Sequence, residues 1–231
     1  MLNRRPIGKL AAALAGALLI AGCGTGTHLR TVTLTFIRHA ESTANASETI
    51  DTTVPGPSLT TAGEKQAQDI ARQIGGNGYD GIYASTMVRT QQTAAPLSKR
   101  LGRQIEILPG LREIGAGWYE GDPQDRGMAY FVAPMAWVRG DRTSTIPGSV
   151  DGNEFNDRFS AAVRTIYVRG DAKPVAFAHG ASIAIWTLMN VRNPDDDLLR
   201  GHPLPNVGRV VIRGNPVTGW TLVDWDGVRK A

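Results

Sequence analysis

The tetrad Arg38-His39-Ala40-Glu41 directly follows the run Thr31-Val32-Thr33-Leu34-Thr35-Phe36-Ile37. A neutral imidazole is a nitrogen nucleophile, and an adjacent guanidinium can hold a phosphate in front of it. The run alternates threonine with Val, Leu and Phe, which reads as a β-strand. The Arg-His pair therefore stands at a strand's C-terminal end, where open α/β sheets place their ligand sites. A second histidine, His179, follows the apolar run Pro174-Val175-Ala176-Phe177-Ala178 and precedes Gly180, so it too ends a strand. Taken one at a time these residues have plainer readings. An Arg-His dipeptide arises by chance, and His179 alone reads as a core histidine bonded to backbone.

Four further segments fit the same chemistry. The string Arg38-His39-Ala40-Glu41-Ser42-Thr43-Ala44-Asn45 resembles the N-terminal signature of the histidine phosphatase superfamily, the phosphoglycerate-mutase-like phosphatases. Leu59 to Ala67 resembles the family's following helix start, and Ser85 to Ala94 its second-arginine segment. Leu111-Arg112-Glu113-Ile114 with Gly117-Trp118-Tyr119-Glu120-Gly121 resembles its acid loop, and Ala178-His179-Gly180 its second histidine. The blocks keep the family's order and span nearly all of the chain from Thr31 onward. Ala40 departs from the pattern, which has glycine there. An alanine held at positive φ would be strained by roughly 1 kcal/mol; we expect Ala40 in an allowed region.

The resemblance implies metal-independent phosphomonoester hydrolysis with no cofactor. His39 would be the nucleophile, attacking as the neutral ring and forming a phosphohistidine that water then hydrolyses. Arg38 and Arg89 would clamp the phosphoryl oxygens, since a planar guanidinium stays charged and binds them bidentately. Arg89 falls in the first turns of a helix, near its positive dipole end, although a surface helix charge is the alternative. His179 would donate to the phosphate, with Ser42, Asn45 and the Gly180 amide as neutral donors. Glu113 would be the general acid, protonating the leaving alkoxide. It is preferred over Glu41, Glu120 and Asp122 only because Leu-Arg-Glu matches the family's acid block. The four histidines, His28, His39, His179 and His202, show no metal-ligand spacing.

Elements must hold these residues together. Glu41 to Ser58 reads as loop, with Asn45, Asp51, Pro55, Gly56 and Pro57 as breakers. Thr61 and Glu64 form a capping-box pattern before a helix to about Ile74, which Gly75-Gly76-Asn77-Gly78 stops. Gly81 to Ala84 reads as a short buried strand, Ser85 as the N-cap of a helix to about Leu101, and Ile105 to Leu108 as a strand. Pro174 to Ala178 is a strand leading into a helix through Leu188. Val207 to Ile212 and Trp220 to Val223 close the sheet around a turn at Gly214-Asn215-Pro216. Alternating strands and helices indicate an α/β fold. With the resemblance, we expect a three-layer α/β/α sandwich with a mostly parallel central sheet. The irregular stretch at about 115–152 would cap it. The cap aromatics Trp118, Tyr119, Tyr130, Phe131 and Trp137, with Met135, suit either a satellite core or an apolar wall for an organic leaving group.

At 231 residues and 42% hydrophobic content, the chain suits one α/β domain or two small ones, and not disorder. Its N-terminus differs. Arg4, Arg5 and Lys9 precede the apolar run Leu10–Gly22, a signal-peptide pattern too short to span a bilayer. Leu19-Ile20-Ala21-Gly22-Cys23 resembles a bacterial lipobox. We expect a signal peptide over 1–22, lipidation of Cys23, a tether over 23–30, and the phosphatase domain over 31–231. The resulting form is a bacterial, actinobacterial lipoprotein on the extracytoplasmic face of the membrane, or a secreted protein. Cys23 is the sole cysteine, so it forms no intrachain disulfide. Cleavage before it removes three of the 25 basic residues and none of the 21 acidic ones, so the formal charge drops from +4 to +1. Interspersed charges argue against a nucleic-acid partner. The expected partners are a small phosphomonoester and, through Cys23, the membrane. Two rivals remain: a phosphoglycerate mutase using Arg126, Arg139 or Arg142 for a substrate carboxylate, and a non-catalytic phosphate-binding lipoprotein.

Overall fold

The computed structural model describes residues 29–230. The expected signal peptide, Cys23 and the tether as far as residue 28 lie outside them. The strands are β1 (Val32–Arg38), β2 (Gly81–Ala84), β3 (Ile105–Ile107), β4 (Pro174–Ala178), β5 (Arg209–Asn215), β6 (Gly219–Trp225) and β7 (Val228–Arg229). They form one seven-stranded sheet in the order β3-β2-β4-β1-β5-β6-β7. The strands from β3 to β1 pair in parallel. The pairs β1–β5, β5–β6 and β6–β7 are antiparallel. The sheet is therefore mixed, parallel in one half only. For β5, β6 and β7 the physical reason is local: tight turns at 216–218 and 226–227 join these successive strands, and a tight turn can only reverse direction.

Side chains alternate across the sheet and build two cores. Val32, Leu34 and Phe36 of β1 and Ala176 of β4 belong to one. That core includes Phe155, Phe159 and Val163 of α6 (Gly152–Arg169) and Ile183, Ile185 and Trp186 of α7 (Gly180–Asn190). Ile37, Val175 and Phe177 face the other side. There they meet Ile70 and Ile74 of α2 (Thr61–Ile74) and Leu97 of α3 (Val88–Leu101). This is the expected three-layer arrangement, and β4, buried along its whole length, reads as the apolar run a central parallel strand needs.

Helix starts differ from the sequence expectation. Thr60, not Thr61, caps α2, its hydroxyl accepting from the Gly63 N–H. That hydroxyl also donates to Glu41, 2.6 Å away, which fixes it one residue early. Ser85 does not cap α3, which begins after Met87. Inside the expected loop, Thr43–Ala46 makes a one-turn helix, α1, closed by a capping box between Ser42 and Asn45. The stretch after β3 holds 3-10 turns at Pro109–Leu111, Gly117–Tyr119 and Gln124–Arg126, then α4 (Gly127–Tyr130) and α5 (Val132–Val138). A last short helix, α8 (Asp197–Gly201), precedes β5. The aromatics of this stretch divide. Trp137 stacks on Phe155 in the core, Tyr130 packs edge-on against Phe131, and Trp118 is 81% exposed.

Candidate active site

β1 ends at Arg38 and β4 at Ala178, and the two ends are paired neighbours. The residues that follow, His39 and His179, are thereby brought side by side, ring centroids 5.2 Å apart and edge to face. Both are buried. His39 Nδ1 lies 2.8 Å from the carbonyl oxygen of Ala40. A carbonyl can only accept, so Nδ1 carries the ring proton and Nε2 the lone pair. Arg89 Nε donates to that Nε2 at 3.2 Å, consistent with this tautomer. Burial, and then the charges of Arg89 and Arg38, hold the His39 imidazolium well below its ordinary range. Burial and Arg89 act likewise on His179. His39 is thus a neutral ring whose unprotonated Nε2 faces Arg89, beside two cations.

Arg89 reaches this position from the first turn of α3. Its Nη2 donates to the Asp51 carbonyl at 3.1 Å. Gly56 makes room for it: a Cβ there would lie 2.7 Å from Arg89 Nη1, and the backbone is at φ 71° besides. Arg38 anchors through Nη1 to the Leu204 carbonyl at 2.7 Å, and Gly180 admits its side chain, with a Cβ there only 3.2 Å from Arg38 Nε. Arg38 Nε, Arg89 Nη1 and His179 Nδ1 are buried and have no hydrogen-bond partner among the described residues. Buried polar nitrogens without partners are rare and costly. Three of them surrounding one neutral histidine form a site shaped for an anion.

Ala40 avoids the left-handed region, as expected: the non-glycine residues at positive φ are Glu48, Val207 and Asp226. Its N–H donates at 3.0 Å to Thr93 Oγ1, which in turn donates to the Arg89 carbonyl at 2.6 Å. Thr93 therefore joins the nucleophile loop to α3.

A cavity of about 320 Å³ opens over His39. Arg38, Ser42, Asn45, Arg89, Glu113 and Gly180 all line it, whereas His179, packed edge to face on His39, is not among the lining residues. The Ser42 hydroxyl is committed to the α1 cap, donating to Asn45 Oδ1 at 3.2 Å. Glu113 lies across the start of α7, its carboxylate accepting from the backbone N–H groups of Ile114, Ala181 and Ser182 at 2.9, 3.2 and 2.7 Å. The rival acids are elsewhere. Glu41 and Asp122 do not line the cavity, and Glu120 is bonded to Thr52. Asp51 does line it, with its carboxylate turned to Thr53.

Three contributors were not singled out from the sequence. Ser85 bonds His179 Nε2 at 2.8 Å. Arg158 on α6 donates to the carbonyls of Gly110, Arg112 and Glu113, fixing the acid loop from behind. Asn206 donates to the His39 carbonyl. Ser85 sits inside a block quoted for its arginine, so its place in the sequence was already marked; Arg158 and Asn206 carry no local signal.

The family model of the histidine phosphatase superfamily (branch 1) matches residues 34–226. The chain belongs to this superfamily. As a histidine phosphatase it meets, at the level of the family, the expectation of a phosphatase-class enzyme. It is 46% identical over 216 residues to PE_PGRS11, a PE-PGRS family protein of Mycobacterium tuberculosis. That match covers 86% of the chain and 37% of the relative, so the chain spans just over a third of that protein's length. It is 29% identical over 195 residues to a probable phosphoglycerate mutase of Yersinia enterocolitica, covering 80% of the chain and 88% of that protein. Among solved structures it resembles a mycobacterial glucosyl-3-phosphoglycerate phosphatase complexed with VO3, with TM-score 0.69 and 21% identity over 85% of the chain and all of the other. That likeness is one of fold.

Proposed function

We propose that this histidine phosphatase hydrolyses phosphomonoesters through a phosphohistidine on His39 Nε2, without a metal. One observation carries the reading: the His39 ring is held neutral, its unprotonated Nε2 turned to Arg89, among three buried nitrogens that lack partners. In the first step Nε2 forms a bond to phosphorus as the bond to the leaving oxygen breaks. Glu113 gives its proton to that oxygen. Arg38, Arg89 and His179 take the equatorial oxygens. In the second step water attacks phosphorus, Glu113 accepts the water's proton, and the P–N bond returns its electrons to His39.

The outer cavity supports an organic alcohol with apolar groups. Ile50, Tyr130, Phe131, Leu199, Leu204 and Trp225 line it. Tyr130 Oη donates away to the Ile114 carbonyl at 2.8 Å, so the ring turns carbon and not its hydroxyl to the cavity. Arg142, one of the arginines considered for a mutase carboxylate site, is bonded to the Met189 carbonyl instead.

The test is hydrolysis of a phosphomonoester panel, 3-phosphoglycerate included, by the chain from Gly24 onward with chelator present, beside His39→Ala. Chelator-resistant turnover lost in the variant supports the reading. Mutase product without release of phosphate, or turnover that survives the loss of His39, overturns it. The lipobox supports a tether to the outer membrane face through Cys23. Incorporation of labelled fatty acid into the full chain, absent in Cys23→Ala, is the outcome that reading requires.

A further inference from the structure

Segment 203–208, ahead of β5, folds back over the nucleophile. The Arg38 N–H donates to the Gly208 carbonyl at 3.0 Å, and the Val207 N–H to the His39 carbonyl at 3.4 Å. Val207 is held at φ 55°, a conformation strained for a β-branched residue. Strain of this kind persists only where the surroundings impose it. The neighbouring Asn206 shows what is gained. Its side chain lies 3.0 Å from the His39 carbonyl oxygen and 3.2 Å from the Asn45 amide.

The orientation of both amides follows from chemistry. The His39 carbonyl can only accept, so the Asn206 atom facing it is the Nδ2 donor. That nitrogen's second N–H is directed at Asn45, which must therefore present Oδ1. The Ser42 N–H, which can only donate, agrees, lying 3.1 Å from the same oxygen. With Oδ1 claimed by Ser42 and Asn206, the Nδ2 group is what Asn45 has free for the cavity it lines.

We propose that Asn206 is a positioning residue: it ties the nucleophile backbone to Asn45 and fixes the Asn45 amide with its N–H donors toward the bound phosphoryl group. This rests on the reading of Asn45 as a phosphate donor. Asn206 acts through Asn45 and touches no substrate.

The experiment is a double-mutant cycle with inorganic phosphate as inhibitor and an aryl phosphate as substrate. Asn206→Leu keeps the size and removes the donor. It is expected to raise the phosphate inhibition constant and KM about tenfold, the loss of one hydrogen bond to a charged group. Asn45→Ala is expected to do the same, and the double variant to be no worse than either single one, because both remove one device. Asn206→Ser, which keeps a single donor, is expected to recover part of the loss and stands in if the leucine variant does not fold. Costs that multiply to about a hundredfold, or a lowered Tm with the inhibition constant unchanged, would overturn the proposal. So would an Asn45→Ala that binds phosphate normally. In that case loss of turnover in His39→Ala would still uphold the phosphohistidine reading.

Discussion

At the scale of single residues, the site works by withholding water from charge. A buried imidazole disfavours its proton because the cation has lost its hydration, and two guanidinium groups beside it add repulsion. Both act on His39 in one direction. The consequence is a nucleophile ready without a separate base, provided the tautomer is right, and the Ala40 carbonyl sets the tautomer. We expect nitrogen NMR of the His39 ring in the free protein to show protonated Nδ1 and bare Nε2 throughout a titration from pH 7.5 to 6. A midpoint at or above pH 6.5, or the opposite tautomer, would contradict this. Residue identities at the site were legible because His39, Arg38, Arg89, Glu113 and His179 each sit in a recognisable block. Asn206 was not, since it stands 167 positions from the carbonyl it binds and only the fold brings the two together.

At the scale of elements, strand ends and helix starts do the positioning. The apolar runs of β1 and β4 and the stop at Gly75 were readable, because alternation and glycine punctuation are local signals. The start of α3 was not, because Ser85 gave up its capping role to bond His179. The helix α6 also went unread, although Asp151 and Glu154 form a capping box and Phe155, Phe159, Ala162, Val163 and Ile166 repeat at helical spacing. Its importance to the site lies in Arg158, whose guanidinium holds three carbonyls of the Gly110–Glu113 turn. Burial lowers the Arg158 pKa to about 10, so it remains charged at neutral pH. Replacing it by methionine keeps the packing and frees the turn that carries Glu113. Because the phosphate groups are untouched, Arg158→Met is expected to lower kcat by about ten- to a hundredfold while the phosphate inhibition constant stays within about twofold. Equal losses in both would mean that Arg158 supports the whole cavity and not the acid alone.

At the scale of the whole molecule, the pocket is a cost that the two cores sustain. Two histidines and two arginines share a buried volume, and burial lowers the pKa of both arginines as well. The histidines make stability depend on pH in a definite direction. Their folded pKa values lie well below 6.5, whereas unfolded imidazoles titrate near 6.5. Between those values the unfolded chain binds more protons than the folded one, so stability falls as pH falls from about 6.5 toward the lowered pKa values. Both histidines contribute to this loss, because burial and the neighbouring guanidinium groups disfavour the charged ring in each. The Tm is therefore expected to fall between pH 7.5 and 5.5. Calorimetry of the chain from Gly24 onward would measure it, and His39→Asn should narrow the drop. A flat or rising Tm over this range would mean that the two rings are charged in the folded protein. Sulfate, a dianion across the whole range, supplies the missing countercharge and should narrow the drop at millimolar concentration, far below the level at which it stabilises proteins generally. A drop that sulfate leaves untouched would place its origin outside the pocket.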